Sequence, residues 1–580
     1  MTVEKIFSLI LPCLSMWGYV HLLCGSIKAE FAIAVTLAFI GSATFLAGIA
    51  GVMPLAVDAI IYLGIACLVI ALFKRISLKK VITPGTVFFA VMMCVFCYLL
   101  YGAYFVEQDN FTHWAFVTKL LINNHRFPLA SDPNVWFPSY PLGSSSFIYF
   151  FCKAFGADSE WFQMLIQAML MTGMGTAVFA FAKNVKGYLL SAVYIIILLC
   201  SNIGFNELLV DTLLAMIGFG GIAFCVYYRN DLKHKVWYTI PYMVLLMAVK
   251  NSGLFFAAIM IVYCLVYIIK NKNGFGAVAK LAFCGATPFA ALKLWQDHVK
   301  AEFEGGLLSK HSMSIENLEK VFGEKTPEDI KNIALAFKDA IFSLSNPVLW
   351  MLIFILAVVL VNRFALKEQD KFFNGTAIFA VVTYLAYQIG QLGMYLFNMP
   401  TAAALGLECY DRYTATILIC VCGIVCCGTL GSPLFDKAEA KVKNCAALYG
   451  VCAVIMLQCL HPNLHYYSRQ VIPPERNRAI NNMLIEEYNI PLNSGYIIIF
   501  DDSCDEWVRE TYFYEAKYIF GNKAKVRFLR DVKADESLFN KYPWVIMFHE
   551  TEPIKEYLES RYGPDLPRVI YTPDYPLVSQ

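Results

Sequence analysis

The stretch "TVFFAVMMCVFCYLLYGAYFVEQDNFTHWAFVTKLL", Thr86 to Leu121, holds the pattern that decides how this chain folds. Its first part, Thr86 to Phe105, carries no charged residue. It is long enough to cross a bilayer as a helix, which takes about 20 mostly apolar residues. Two carboxylates, an amide and an imidazole follow at once: Glu107, Asp109, Asn110 and His113. After them Trp114, Val117 and Leu121 form an apolar stripe, with Lys119 and Asn123 off it. That is the pattern of a helix lying in a membrane interface. An aspartate ahead of a helix is a preferred N-cap, which is the structural reading of Asp109. The functional reading starts from its neighbours. Glu107 lies two residues before it, and His113 lies four after it, on the same face of one helix.

The composition extends this pattern to most of the chain. The 580 residues are 58% hydrophobic and 16% charged. Soluble proteins are about 25% charged, so the chain is expected to be a polytopic membrane protein. A net charge of +2 supplies no global basic field, and no zinc-finger, recognition-helix or RNA-binding pattern occurs. Nucleic acid is therefore excluded as a partner. Most of the 19 cysteines lie inside apolar runs, where cysteine acts as a small hydrophobe. Neither a disulfide framework nor a metal cluster is expected. The first apolar run, Ile6 to Cys24, lacks a small-residue cleavage site and reads as a retained helix.

About fourteen candidate spans follow from the apolar runs: 6–25, 31–49, 54–73, 86–105, 159–181, 188–204, 208–228, 236–250, 252–270, 279–295, 347–363, 375–397, 412–430 and 445–460. Basic loops at 74–80, 183–186, 228–235, 270–274, 362–371 and 436–443 fall on alternate connections, which places them in the cytoplasm. The long loops 106–158, 296–346 and 398–411 then face outward, together with the tail from 461. The chain divides into a membrane domain, 1–460, and an extracytoplasmic domain, 461–580. In the tail, "SGYIIIFDD" and "YPWVIMFHE" read as buried strands, and "KVRFLR" and "PRVIYT" as shorter ones. "PPERNRAINNMLIEEYN" and "EWVRETYFYEAKYIF" read as helices. The expected fold is an all-α membrane bundle of about 13–14 spans with a small α/β domain outside.

Ionisable residues within or beside spans cost at least about 2.5–3.5 kcal/mol each in the bilayer, so they tend to line cavities and act there. Lys250, in "LLMAVKNSGLFFAA", sits at a turn between two short spans. It is either a lysine snorkelling to the interface or a cation placed near a phosphate. In "GLECYDRYTATIL", Glu408 and Arg412 are four apart at a helix start, with Asp411 and Tyr413 adjoining. They form a helical ion pair, or Arg412 serves a phosphate, whose geometry a guanidinium matches. The loop 125–151 holds Arg126, Trp136, Phe137 and Tyr140 among prolines. The prolines are turn formers, and the aromatic faces suit the C–H faces of a sugar. Lys310 and His311 read as solvated loop residues with a weaker claim. Together these residues describe a site in which a carboxylate accepts a hydroxyl proton. Cations there neutralise a phosphate leaving group. The substrate suited to such a place is a sugar carried on a lipid phosphate.

"EQDNFTHWAFVTKLLINNHRFP" resembles the acidic loop motif of the GT-C superfamily of integral-membrane glycosyltransferases, in particular bacterial cell-envelope members. "AVKNSGLFFA" and "ECYDRYTATIL" are similar to recurring segments of the same proteins. The resemblance covers about residues 86–430. It implies many helices around an outward-facing cavity, a polyprenyl-phosphate sugar as donor, and transfer with inversion. Asp109 matches the family's catalytic acid and would be the base, with Glu107 as its substitute and His113 orienting it. Arg412, Lys250, Glu408, Tyr413, Trp114, Arg126, Trp136, Tyr140 and His311 would contact substrate. Asn110 stands where a second acid often stands, so no metal ligand is assigned, and a divalent cation is left open. The early spans also outnumber those of the simplest members. The acceptor would be an envelope glycan or cell-wall polymer. The alternatives are a flippase of lipid-linked sugars, a polysaccharide polymerase or ligase using His311, and a scaffold displaying the tail.

Overall fold

The structure is a computed structural model that describes residues 3–308, 312–365, 370–433, 440–470, 477–492 and 494–575. The chain divides into two compact units. The first comprises Met1–Tyr101, Thr118–Ala130 and Phe137–Gln470, and the second Gly102–Val117, Ser131–Trp136 and Val471–Gln580.

The first unit is helical. Its order begins α1 (Val3–Leu23), α2 (Ala29–Ile49), α3 (Met53–Phe73) and α4 (Pro84–Leu100). In the second unit α5 (Gln108–Thr112) follows, and α6 (Trp114–Asn124) runs across the division between units. Then come α7 (Gly143–Phe155), α8 (Glu160–Gly175), α9 (Val185–Leu199), α10 (Asp211–Tyr227) and the short α11 (Leu232–Lys235). α12 (Ile240–Val249), α13 (Gly253–Lys270), α14 (Phe275–Glu302), α15 (Ile315–Gly323) and α16 (Pro327–Phe342) precede α17 (Pro347–Leu360). α18 (Lys371–Phe397), α19 (Thr401–Leu405), α20 (Tyr410–Gly431) and α21 (Ala440–Cys459) complete it.

All fourteen expected apolar stretches contain a helix. Among the described residues, eight helices are long and apolar enough to cross a membrane, and five further apolar helices run to 10–17 residues. The protein is a multi-pass helical membrane protein. The stretch 236–250 differs from expectation. It opens with a 3-10 turn and Pro241, which leaves α12 only ten residues. At about 1.5 Å per residue that helix is half the length of a span of about 30 Å. Tyr242 to Val249 are all buried, because α2, α10, α13 and α14 enclose the helix.

Close approach between apolar helices needs small residues, since lipid offers side chains no less apolar a surface than another helix does. α1 and α3 show this. A Cβ added at Gly18 would overlap the Gly64 carbonyl, and one added at Gly64 would overlap the Ser15 hydroxyl. The Tyr19 hydroxyl then donates to the Ile60 carbonyl at 2.7 Å.

The second unit carries all four expected strands: β1 (Tyr496–Phe500), β2 (Ala524–Phe528), β3 (Trp544–Met547) and β4 (Val569–Tyr571). The sheet order is β2-β1-β3-β4. β1 is parallel to β2 and β3, with Tyr496 level with Ala524 and Trp544, and β4 runs antiparallel to β3. β1 is apolar throughout because both faces of the sheet are covered. Ile497, Ile499, Val545 and Met547 meet α24 (Leu529–Ala534), α25 (Leu538–Lys541) and α26 (Glu552–Tyr562). On the other face, α23 (Glu506–Phe520) sets Tyr512 on Phe500 and Phe520 on Tyr496. α22 (Asn477–Tyr488) joins there, where the Tyr512 hydroxyl donates to Asn481 at 2.5 Å.

Composition places the domain boundary at 460/461, whereas the units part at 470/471. Backbone hydrogen bonds explain the offset. Asn463 N–H donates to the Cys200 carbonyl at 2.8 Å and Gln470 N–H to that of Leu99 at 3.1 Å. Both hold the segment on the helices of the first unit.

Gly64→Val forces overlap where α1 crosses α3, and overpacking of this kind costs about 1–3 kcal/mol. Thermal unfolding in detergent should show a lower midpoint for this variant. Leu63→Val, at a half-exposed neighbouring position, should leave the midpoint unchanged.

Candidate functional site

Three separate backbone devices bring ionisable groups together in the first unit. Asp211 opens α10. The loop before it is fixed from α8, where Gln167 donates to the carbonyls of Glu207 at 2.7 Å and Leu209 at 3.2 Å. Lys250 ends α12 in an extended conformation. The turn after it is tight: Gly253 N–H donates to the Lys250 carbonyl at 2.8 Å, and a Cβ at Gly253 would overlap the Leu246 carbonyl. α20 begins behind two residues held in the left-handed region, Leu407 at φ 46° and Cys409 at φ 62°. Such conformations cost side-chain-bearing residues on the order of 1 kcal/mol or more, and they persist only where surrounding contacts enforce them. Here the Tyr395 hydroxyl donates to the Glu408 carbonyl at 2.9 Å.

The result is a carboxylate between two cations. Lys250 Nζ lies 2.9 Å from Asp211 Oδ1, and Arg412 Nε lies 3.4 Å from Asp211 Oδ2. The Tyr413 ring lies beneath both, 4.9 Å from Lys250 Nζ and 5.8 Å from Arg412 Cζ. The Asp211 side chain is 5% exposed, that of Lys250 19% and that of Arg412 32%. One carboxylate thus pairs with a cation from each of two other helices. The most open member is the guanidinium, whose planar donors suit phosphate oxygens. The same group also ties α10, α12 and α20 together, so it serves the fold as well.

Lys250, Arg412 and Tyr413 were expected at such a place, but Asp211 was not. The signal for Asp211 is in the sequence, as an acid inside the apolar run 208–228, where a charge needs a partner. Glu207, just before it, is buried too. Two readings are corrected. Lys250 does not snorkel, because its ammonium is turned onto Asp211. Glu408 and Arg412 do not share a helical face, because the left-handed Cys409 separates Glu408 from α20, and Glu408 is exposed.

Asp109, Glu107, His113 and Trp114 lie in the second unit. Glu107 is exposed and takes the N-cap position of α5, while Asp109 lies within that helix, partly exposed. The N-cap reading of Asp109 therefore fails. Its carbonyl accepts from His113 N–H at 3.1 Å. His113 itself leaves helical geometry, at φ −147° and ψ −70°, and so breaks α5 from α6. His113 is thus the junction residue between the two helices, and its side chain does not continue the helical face of Asp109. Trp114 through Thr118 are all buried. This half of α6 is enclosed by protein, in place of the interfacial helix expected. His113 packs edge-on to Trp114 with ring centroids 4.6 Å apart, and burial pushes its pKa down to about 3.

The aromatic loop is divided between the units. Arg126, Phe137 and Tyr140 belong to the first and Trp136 to the second. Arg126 donates to the neighbouring Phe127 carbonyl at 2.9 Å, and Phe137 stacks on Tyr140 at 5.4 Å. Trp136, 46% exposed, meets Tyr514 at 5.8 Å. Lys310 and His311 lie outside the described residues. Among the described residues no group of three or more His, Cys, Asp or Glu is arranged to hold a metal ion.

Removing Asp211 takes away the carboxylate that pairs with both cations, and breaking such a pair costs about 3–5 kcal/mol when fully buried. The partial exposure of Lys250 and Arg412 sets the expected loss for Asp211→Ala at about 2 kcal/mol or more. Adding Lys250→Met should recover part of it, as a double-mutant cycle of unfolding midpoints can show. His113 gives a pH signature. Unfolded, it takes up a proton near 6.5; folded, it resists until about 3. The stability it contributes is therefore complete above pH 6.5 and lost as the pH falls towards 3. His113→Gln should flatten the acid side of the stability profile relative to the parent chain. No protein-family model matches the chain, and no curated protein matches it.

Proposed function

We propose that the chain is a membrane glycosyltransferase with a GT-C-like fold. It moves a sugar from a polyprenyl-phosphate carrier onto an envelope glycan or polymer at the outer face of the cell membrane. The observation that carries this reading is the pair of cations on one buried carboxylate, Lys250 and Arg412 on Asp211, with the guanidinium the most accessible of the three groups.

In this reading Arg412 and Lys250 hold the carrier phosphate, and Asp211 keeps them in place. An acceptor hydroxyl oxygen attacks the anomeric carbon from the face opposite the phosphate. The new C–O bond forms as the anomeric carbon–phosphate oxygen bond breaks. The bonding electron pair leaves on polyprenyl phosphate, whose charge the two cations balance. The acceptor proton goes to a carboxylate base, for which the resemblance names Asp109, with Glu107 as its substitute. Inversion follows from the single displacement. A flippase of lipid-linked sugars is the second reading, because charges buried among apolar helices also mark transport paths.

Purified protein in liposomes, given radiolabelled polyprenyl-phosphate sugars and envelope glycans, tests this. Asp109→Asn should lower kcat about 10²–10⁴-fold, the range of a general base. Arg412→Gln should raise the KM for the carrier-linked donor. Equal transfer by the Asp109→Asn variant and the parent chain would remove Asp109 as base. Movement of donor across the bilayer with no transfer would favour the flippase.

A further inference from the structure

The first long loop was expected to belong to the membrane domain, yet its acidic segment, Gly102–Val117, and its piece Ser131–Trp136 form one unit with the α/β tail. The reason is one face of α23. Tyr514 and Tyr518 are four residues apart and therefore project from the same side of that helix. Asn522 continues the line just past its end. Each meets a different point of the loop. Tyr514 carries Trp136 at 5.8 Å. Tyr518 carries Phe111 at 5.3 Å and Phe105 at 6.5 Å. Asn522 accepts from the Asn134 amide at 2.5 Å. The Arg478 guanidinium, itself buried, lies 5.0 Å over Tyr104 and 5.7 Å over Tyr518. The opposite face of α23 is committed to the sheet through Tyr512 and Phe520. A helix with one face on its own sheet and three contacts in line on a distant loop is a mount for that loop.

The segment it holds is the one that carries Asp109. Phe111 is two residues from Asp109 in the five-residue α5, and α5 packs directly on α23. A helix this short has little stability of its own, since helix nucleation is costly. Its orientation comes from what it packs against. We infer that Tyr518 is a positioning residue for Asp109: the tail domain serves as the seat of the acidic loop, and Tyr518 is the contact that fixes the α5 carboxylate. This inference rests on the reading of Asp109 as base only for its effect on transfer. The seating of the loop stands without it.

Hydrogen–deuterium exchange on the full-length protein in nanodiscs separates the two. For Tyr518→Ala, peptides covering 105–117 should exchange about tenfold faster or more, the scale on which local opening replaces protected packing. Peptides of β1 and β3 should be unchanged. Tyr518→Phe keeps the ring and should behave as the parent chain. In the transfer assay Tyr518→Ala should lower kcat with the donor KM unchanged, and Tyr518→Phe should restore it. If the tail itself loses protection in Tyr518→Ala, Trp136→Ala combined with Asn134→Ala loosens the seat from the loop side and is expected to give the same result. Unchanged exchange at 105–117 in these variants overturns the inference. Faster exchange in an enzyme whose transfer is insensitive to Asp109→Asn keeps the seat and removes Asp109 as base instead.

Discussion

A carboxylate at 5% exposure among apolar helices is a costly object, and Asp211 stays there because two cations are delivered to it from different parts of the chain. Isolated ions of this size lose several kcal/mol on leaving water, even after the protein relaxes around them. The loss is recovered only with close counter-charges in fixed positions. That requirement propagates outward. It demands a helix start at residue 211, a sharp stop at residue 250, and a left-handed entry into α20 so that Arg412 comes within 3.4 Å. Each of these local features is unfavourable alone. Together they are consistent, because each supplies one ligand of the same charge cluster.

Why such a cluster rather than apolar packing? Replacing a buried ion pair by apolar side chains of similar size is often neutral or stabilising. An arrangement kept for stability alone would therefore have a cheaper alternative. Two features here point away from stability as the only reason: an aromatic ring beside both cations, and a guanidinium that remains partly open.

The sequence made the large features legible where one physical pattern dominates. Each of the fourteen apolar runs holds a helix, though α7, α15 and α16 lie in stretches read as loops, and the alternation of turn residues with short apolar runs located all four strands. It failed where the backbone departs from regular α-helical geometry. The 236–250 run is apolar enough for a span, but its first residues form a 3-10 turn ahead of Pro241, which leaves a helix of ten residues. Asp109 and His113 have the spacing of one helical face, but His113 itself leaves helical geometry and ends α5. Glu408 and Arg412 have the spacing of one helical face, and the left-handed Cys409 between them puts Glu408 outside α20. In the last two cases the i, i+4 spacing spans a point where the backbone leaves the helix. Asp211 was missed for the opposite reason: inside an apolar run it was read as part of the run.

The allegiance of the acidic loop was invisible for a further reason. Nothing in "EQDNFTHW" announces that its partner lies about four hundred residues later, on a helix of the tail. Composition separates a tail from a bundle, but contact sets the units, and contact assigns the loop to the tail. For a proton transfer this matters more than for most steps. A base must lie within about 3 Å of the proton it takes, and a misplacement of about 1 Å can cost roughly a hundredfold in rate. A five-residue helix, left to itself, cannot hold a carboxylate to that tolerance. A helix mounted on a four-stranded sheet can, because the sheet's two covered faces leave α23 no freedom to yield.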